Sequence, residues 1–305
     1  MCTPPAGTTK KKFFSREYYL APPAIPTGNL PKDVLNIIWR KNEIFLDIGS
    51  YSIGSAVMAI WPVLLMSIFF VHEERNSDGY FGGALALSLF ILGIPILLVV
   101  KGLVSPVPLP VRFNRQRREV CVPLKHDQYW IVPWEQVTAQ AVAVSSGGPH
   151  AKTTQGLLVI GFRNPDPDAP EEDRDFSIGF NCGGGTTAMS LWECMRSYME
   201  VGEDAVPDTR LGKVPYAETQ IGSIVTSLLK GDILDVLHGL FFVIFLGTYL
   251  AEKLQNWKLD PPPDLTDPAI VEWSRPLPID QWAKRSDELE FAIVHCEAEM
   301  AAQQT

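Results

Sequence analysis

A cysteine followed by three glycines offers the first candidate chemistry. The run Asn181-Cys182-Gly183-Gly184-Gly185-Thr186-Thr187 joins an expected strand to an expected helix. Successive backbone N–H groups at a helix start can hold an anion, which makes Gly183, Gly184, Gly185 and Thr186 a candidate anion loop. A thiolate at the same place would have a lowered pKa, so Cys182 could act as a nucleophile with His126 or His150 as its base. No lysine follows the glycines, so this is not a Walker loop, and nothing in the flanking sequence ties either histidine to the cysteine. A plain strand-to-helix connection, with Thr186 or Thr187 capping the helix, is the preferred reading.

A second candidate is basic. Arg112, Arg115, Arg117 and Arg118 follow directly on a long apolar region and could touch anionic lipid head groups, each contributing about 1 kcal/mol near the surface. The same four charges would also fix membrane orientation. Asp235 and His238 lie one turn apart at the start of another apolar stretch, where a helix-end role fits better than a proton path. The five cysteines and five histidines show no CxxC, HxxxH or HExxH spacing, so neither a metal site nor another cofactor is implied. A formal net charge of −9 argues against a nucleic-acid partner bound through general basicity.

The elements that must position these residues begin with a membrane anchor. Residues 48–71 form a run of 24 without a charge, and residues 79–100 add 22 more. At 1.5 Å per residue each can cross a hydrocarbon layer about 30 Å thick. Pro62 and Pro95 inside the spans are tolerated where neighbours satisfy the freed carbonyls. The turn 72–78 holds one firm positive charge, Arg75, whereas both flanks are rich in lysine and arginine. Positive charge inside therefore places the N-terminus and residues 101–232 in the cytoplasm and the turn in the periplasm. An uncleaved anchor is expected, because no apolar core follows the basic N-terminus within a signal peptide's length.

Ahead of the hairpin, residues 1–47 read as an exposed arm rich in proline, with a basic knot at Lys10, Lys11 and Lys12, and then a short amphipathic helix over residues 33–47. Behind it, residues 101–232 read as a strand-rich domain. Strands are expected around Val111–Phe113, Val120–Val122, Tyr129–Val132, Val137–Val144, Leu157–Phe162 and Phe176–Phe180. Leu191, Trp192, Met195, Tyr198 and Met199 share one helical face and close the run. The fold class is thus α+β, with a pleckstrin-homology-like domain of antiparallel strands and one C-terminal helix.

Residues 233–254 are read as a third transmembrane helix. Their apolar core, 236–251, has only 16 residues, about 24 Å of helix, so a crossing requires snorkelling ends or local thinning. A crossing would put the tail outside; a re-entrant or interfacial course would keep it in the cytoplasm. The tail, 255–305, is acidic and carries three successive prolines at 261–263. Near its end Trp282, Leu289, Ile293, Cys296 and Met300 fall near one helical face.

The phrase Val111-Arg112-Phe113-Asn114-Arg115-Gln116-Arg117-Arg118-Glu119-Val120, followed by Trp134-Glu135 and Leu191-Trp192-Glu193, resembles an uncharacterised bacterial inner-membrane family with a domain of unknown function. The likeness covers roughly residues 35–205. Members of that family often sit beside type VI secretion or polymorphic-toxin genes, and the family has no established catalytic residues. The resemblance implies a non-enzymatic immunity or accessory protein that binds a partner encoded nearby. A membrane-bound enzyme using Cys182 and a lipid-sensing module are the other classes considered.

Overall fold

The computed structural model describes the chain except residues 1–8, 12–14, 21–25, 52, 77–80, 126, 149–150, 184, 212–215, 217–218 and 304–305. In chain order the strands and helices are β1 (Thr9–Lys11), β2 (Ser15–Tyr19), β3 (Ile38–Lys41), β4 (Phe45–Ile48), α1 (Gly54–Asn76), α2 (Phe81–Val104), β5 (Val111–Asn114), β6 (Glu119–Pro123), β7 (Tyr129–Pro133), β8 (Thr138–Gly148), β9 (Ala151–Arg163) and β10 (Asp175–Asn181). Then follow α3 (Gly185–Glu200), α4 (Gln220–Lys230), α5 (Ile233–Gly239) continued by a π-helical turn (Leu240–Phe245), α6 (Thr248–Lys258), α7 (Pro268–Trp273) and α8 (Asp287–Gln303). The chain divides into two compact units. One comprises Met1–Ser50, Leu109–Thr209 and Asp264–Thr305, the other Tyr51–Pro108 and Arg210–Pro263.

The first unit is built from two antiparallel five-stranded sheets, ordered β1-β2-β8-β9-β10 and β3-β4-β5-β6-β7. All six strands expected after the hairpin are present, and so is the helix that closes them. Four more strands come from the region read as an arm and a surface helix. Instead of a helix over residues 33–47, the chain makes the β3–β4 hairpin, with Leu46 opposite Phe113 and Ile48 opposite Val111 on β5. The turn is set locally: the Asn42 side-chain carbonyl accepts from the N–H groups of Ile44 and Phe45 at 2.8 and 2.9 Å. The Asp33 carboxylate accepts from the N–H groups of Ile37 and Ile38, which fixes the entry to β3. The pairing that decides strand over helix comes from β5, far along the chain, and local periodicity cannot register it. The arm likewise contributes β2, paired with β8 from Ser15 opposite Val144 to Tyr19 opposite Gln140. Lys12 of the basic knot lies outside the described residues.

The core of this unit lies between the sheets and α3. Trp134 and Trp192 are fully buried and stacked with ring centroids 5.5 Å apart, while Phe113 meets Trp134 edge-on at 5.8 Å. The face of α3 read from its spacing, Leu191, Trp192, Met195, Tyr198 and Met199, is buried throughout. Tyr198 donates its hydroxyl to the carbonyl of Asn42 at 2.6 Å, joining helix to hairpin turn.

The second unit is helical. Both α1 and α2 are long and apolar enough to cross a membrane. The first starts later than its uncharged run, since Ile48 belongs to β4, and α2 continues past its run through Val104. Their outward side chains are apolar: Phe69 is 61% exposed, Phe90 83% and Ile94 70%. The helix α4 falls inside the range assigned to the strand-rich domain but belongs to this unit. The stretch read as a third span is bent. Residues Ile233–Phe245 and Thr248–Lys258 form two helical pieces at 54°, either a broken span or a re-entrant loop.

The acidic tail is no free extension. From Asp264 onward it belongs to the first unit, where Leu265, Ile270 and Trp273 are buried with Cys121. Leu289 of α8 is buried and Ile293 half-buried, whereas the side chains of Cys296 and Met300 are not described.

Candidate functional site

Strand β5, the β5–β6 turn and the first residue of β6 carry the arginine-rich run, and the turn is tight: Arg118 adopts a left-handed backbone with φ of 52°. Polar side chains alternate with the apolar Val111 and Phe113 along this central strand, so the polar face of the sheet can meet another part of the chain. That part is the tail. Asn114 Nδ2 and Arg117 Nε both donate to the carbonyl of Trp273, at 3.2 and 2.8 Å. Gln116 accepts twice, its side chain from the N–H of Leu277 at 2.7 Å and its backbone carbonyl from that of Ala283 at 2.9 Å. The Trp273 indole donates to Glu119 Oε2 at 2.7 Å.

Arg112 is the centre of the first charged cluster. It is 3% exposed and donates Nε and Nη2 to the two oxygens of Asp47 at 2.7 and 2.8 Å, a bidentate pair across neighbouring strands. Nη2 also reaches Asp264 at 2.7 Å, and Nη1 donates to Ser274 at 3.0 Å. The guanidinium lies 3.8 Å from the centroid of the Phe45 ring. Burial works against its charge, but Asp47 and Asp264 outweigh that and hold Arg112 above its ordinary pKa.

Glu200, at the end of α3, centres the second cluster. Its carboxylate accepts from Arg118 Nη2 at 2.9 Å, Arg285 Nε at 2.6 Å and the Trp134 indole at 2.8 Å. Desolvation raises its pKa, yet Arg118, Trp134 and Arg285 together bring it below the usual carboxylate value. Beside it Glu135 accepts from the N–H of Ser286 at 3.0 Å and from its hydroxyl, with Arg118 at 3.5 Å. A cleft of about 420 Å³ opens here, lined among others by Arg115, Arg118, Glu200, Trp282 and Arg285. Its lining sets Arg115, Arg118, Lys284 and Arg285 against Glu200, Asp287 and Glu290, which leaves little net charge to attract an anionic ligand.

Of the four arginines proposed to touch lipid, Arg112 and Arg118 are committed inside the protein. Arg112 and Arg118 are buried and ion-paired, Arg117 holds the tail, and Arg115 donates to the carbonyl of Val201 at 2.8 Å beneath Trp282. A buried guanidinium facing carboxylates is not presented to a head group. The acids that bind them, Asp47, Asp264 and Glu200, belong to no motif in the sequence. One signal was available: Asp47 stands among Phe45, Leu46 and Ile48, and a charge inside a buried run needs a partner.

The glycine-rich turn fares no better as a reactive site. Cys182 is 6% exposed, its thiol donates to the carbonyl of Phe180 at 3.2 Å, and burial pushes its pKa up. That is opposite to what a nucleophile requires. Gly183 is left-handed, with φ of 68°, and its N–H donates to the side chain of Asn181. Gly185 begins α3 and Thr186 is exposed, while Gly184, His126 and His150 lie outside the described residues. Among the described residues no group of three or more acids, cysteines and histidines is placed to hold a metal. In the helical unit His238 lies against Phe242, the rings tilted by 35° with centroids 4.4 Å apart. No protein-family model, curated protein or solved structure matches the chain.

Proposed function

We propose that this is a non-enzymatic protein of the bacterial inner membrane that works by binding another protein. In this reading α1 and α2 anchor it in lipid, the turn between them is periplasmic, and the strand-rich unit faces the cytoplasm, following the distribution of lysine and arginine. The order of its parts supports a pleckstrin-homology-like domain: β3 to β7 run consecutively through one sheet, β8 to β10 through the other, and α3 follows. The chemistry-bearing side chains of that domain are engaged in holding its own tail. Partner binding then falls to what the tail displays.

The observation that carries this reading is the surface of α8. Phe291 is 75% exposed and Val294 61%, on a helix whose charged residues are all acidic. Exposed aromatic and aliphatic side chains beside like charges suit a protein groove that is apolar at its floor and basic at its rim. An anionic lipid surface would repel the same helix. Following the family resemblance, the partner is a component encoded alongside, and the role is immunity or accessory function in a type VI secretion or toxin system.

Co-expression of the full-length protein with the products of its neighbouring genes tests this. One of them should co-purify from detergent-solubilised membranes, and the double variant Phe291→Asp, Val294→Asp should lose it while remaining folded. Binding unchanged in that variant, or no neighbour bound and no protection against a neighbouring toxin, would overturn the reading.

A further inference from the structure

The segment Arg210–Pro263 leaves the strand-rich unit and returns to it, and the points of departure and return are close together. At departure Lys41 pairs with Asp208 at 2.7 Å, and Thr209 donates its hydroxyl to the carbonyl of Ile38 at 2.8 Å. At return Asp264 meets Arg40 at 3.4 Å and Arg112 at 2.7 Å. Ile38, Arg40 and Lys41 all belong to β3. A four-residue strand is only about 13 Å long, whereas the hydrocarbon layer is about 30 Å thick. One crossing would leave the two ends on opposite faces of the membrane. Both are held on one short strand, so the number of complete crossings between them is even.

Two crossings do not fit the helices available. Residues Ile233–Phe245 make about 20 Å of helix, and α4 and α6, with 11 residues each, make about 16 Å. The helix α6 also carries Glu252, Lys253 and Lys258. The segment is nonetheless lipid-compatible on its outside. Leu229 is 84% exposed, Leu234 80%, Leu237 57% and Phe241 49%.

The bend is built for such a place. Gly247 is left-handed, with φ of 74°, and a Cβ there would fall 2.5 Å from the Trp61 ring. The Trp61 indole donates to the carbonyl of Ile244 at 3.0 Å, and the Thr248 hydroxyl to that of Phe242 at 3.0 Å. These two carbonyls are freed where the helix breaks. In hydrocarbon each would otherwise cost several kcal/mol.

We infer that residues 220–258 form a lipid-embedded wedge that enters and leaves one face of the bilayer, and that the tail lies in the same compartment as the strand-rich unit. This replaces the third transmembrane helix expected over residues 233–254, and it rests on the hairpin α1–α2 being in the membrane. Its occupant is lipid, because the exposed apolar side chains belong to the same helical unit as the two spans.

Impermeant maleimide labelling of full-length protein in sealed vesicles tests the placement. Single cysteines at the exposed Glu73, Glu172 and Glu288 are introduced in turn, with Cys2 and Cys296 replaced by serine. Glu172→Cys and Glu288→Cys should react from one face and Glu73→Cys from the other. Glu288→Cys reacting from the face of Glu73→Cys would overturn this inference alone. All three reacting from one face would overturn the hairpin and the wedge with it. Nitroxides at Tyr216, Leu234 and Trp257, read by collisional exchange with oxygen and a polar nickel complex, should be shallow, deep and shallow, because Gln220 beside Thr248 folds α4 back along α5 and leaves their turn as the tip. Depth changing in one direction along the three, or no lipid exposure at Leu234, would overturn the wedge.

Discussion

Phe113 and Phe90 are the same residue put to opposite use. Phe113 is fully buried in the strand-rich unit against Trp134, whereas Phe90 in α2 is 83% exposed. Charge is distributed the other way. Arg112, Asp47 and Glu193 are buried in the first unit, while most of the length of α1 and α2 carries no charged residue. The contrast teaches that hydrophobicity alone does not specify burial: one unit is organised against water and the other against hydrocarbon. A buried ion pair holds only where its geometry is satisfied, and lipid-facing helices need no such pair.

The sharpest way to break the first unit is to orphan its central charge. Asp47→Ala should destabilise the protein by about 3–5 kcal/mol, since Arg112 would stay buried with only the half-exposed Asp264 opposite. The denaturant midpoint followed by tryptophan fluorescence checks this. In the helical unit the corresponding insult is to add a charge. Leu89→Lys, near the middle of α2, should cost roughly 3 kcal/mol of insertion and lower the membrane-associated fraction on fractionation.

Loosening the tail should have a smaller and more local effect. Trp273→Ala removes a side chain packed with Leu265, Ile270 and Cys121, at a cost of roughly 2–4 kcal/mol to tail attachment. Cys121 is fully buried with its thiol pushed up to about 12, mainly by desolvation, so it should label with maleimide at neutral pH only once the tail has lifted. Unchanged labelling in the variant would mean that Trp273 does not hold the cover.

Glu200 adds a pH dependence. Its folded pKa lies below the ordinary 4.5, so its contribution is present above the unfolded value and lost as pH falls through the folded one. Glu200→Gln should therefore be less stable than the parent at neutral pH, with the difference narrowing below about pH 4. A difference independent of pH would sever the link to ionisation. The smallest effect is expected at Phe90→Ala, within about 0.5 kcal/mol by the same denaturant assay that should register about 3–5 kcal/mol for Phe113→Ala.

Much of the framework was legible because it is written in local pattern. Uncharged runs announce α1 and α2, alternation announces β5 to β10, and the face of α3 follows from Leu191, Trp192 and Met195. Elements whose state depends on distant partners were hidden. Residues 33–47 have an apolar spacing that suits a helix, but Leu46 and Ile48 find their places opposite Phe113 and Val111. Arg112 and Arg118 were visible as charge but their pairing was not, because Asp264 and Glu200 stand 152 and 82 residues away from them. The apolar composition of residues 236–251 was plain, whereas their course depends on where Asp208, Thr209 and Asp264 attach.

The placement of the hairpin also orders the events of synthesis. Ile48 lies opposite Val111, yet both spans are made between them. When β4 leaves the ribosome it has β3 on one edge and nothing on the other, and that edge stays open until α1 and α2 have been translated. An open strand edge is a site for mispairing and for proteolysis. A chain whose hairpin has not yet formed thus carries an unfinished sheet, so formation of the hairpin and completion of the strand-rich fold are joined in a single step.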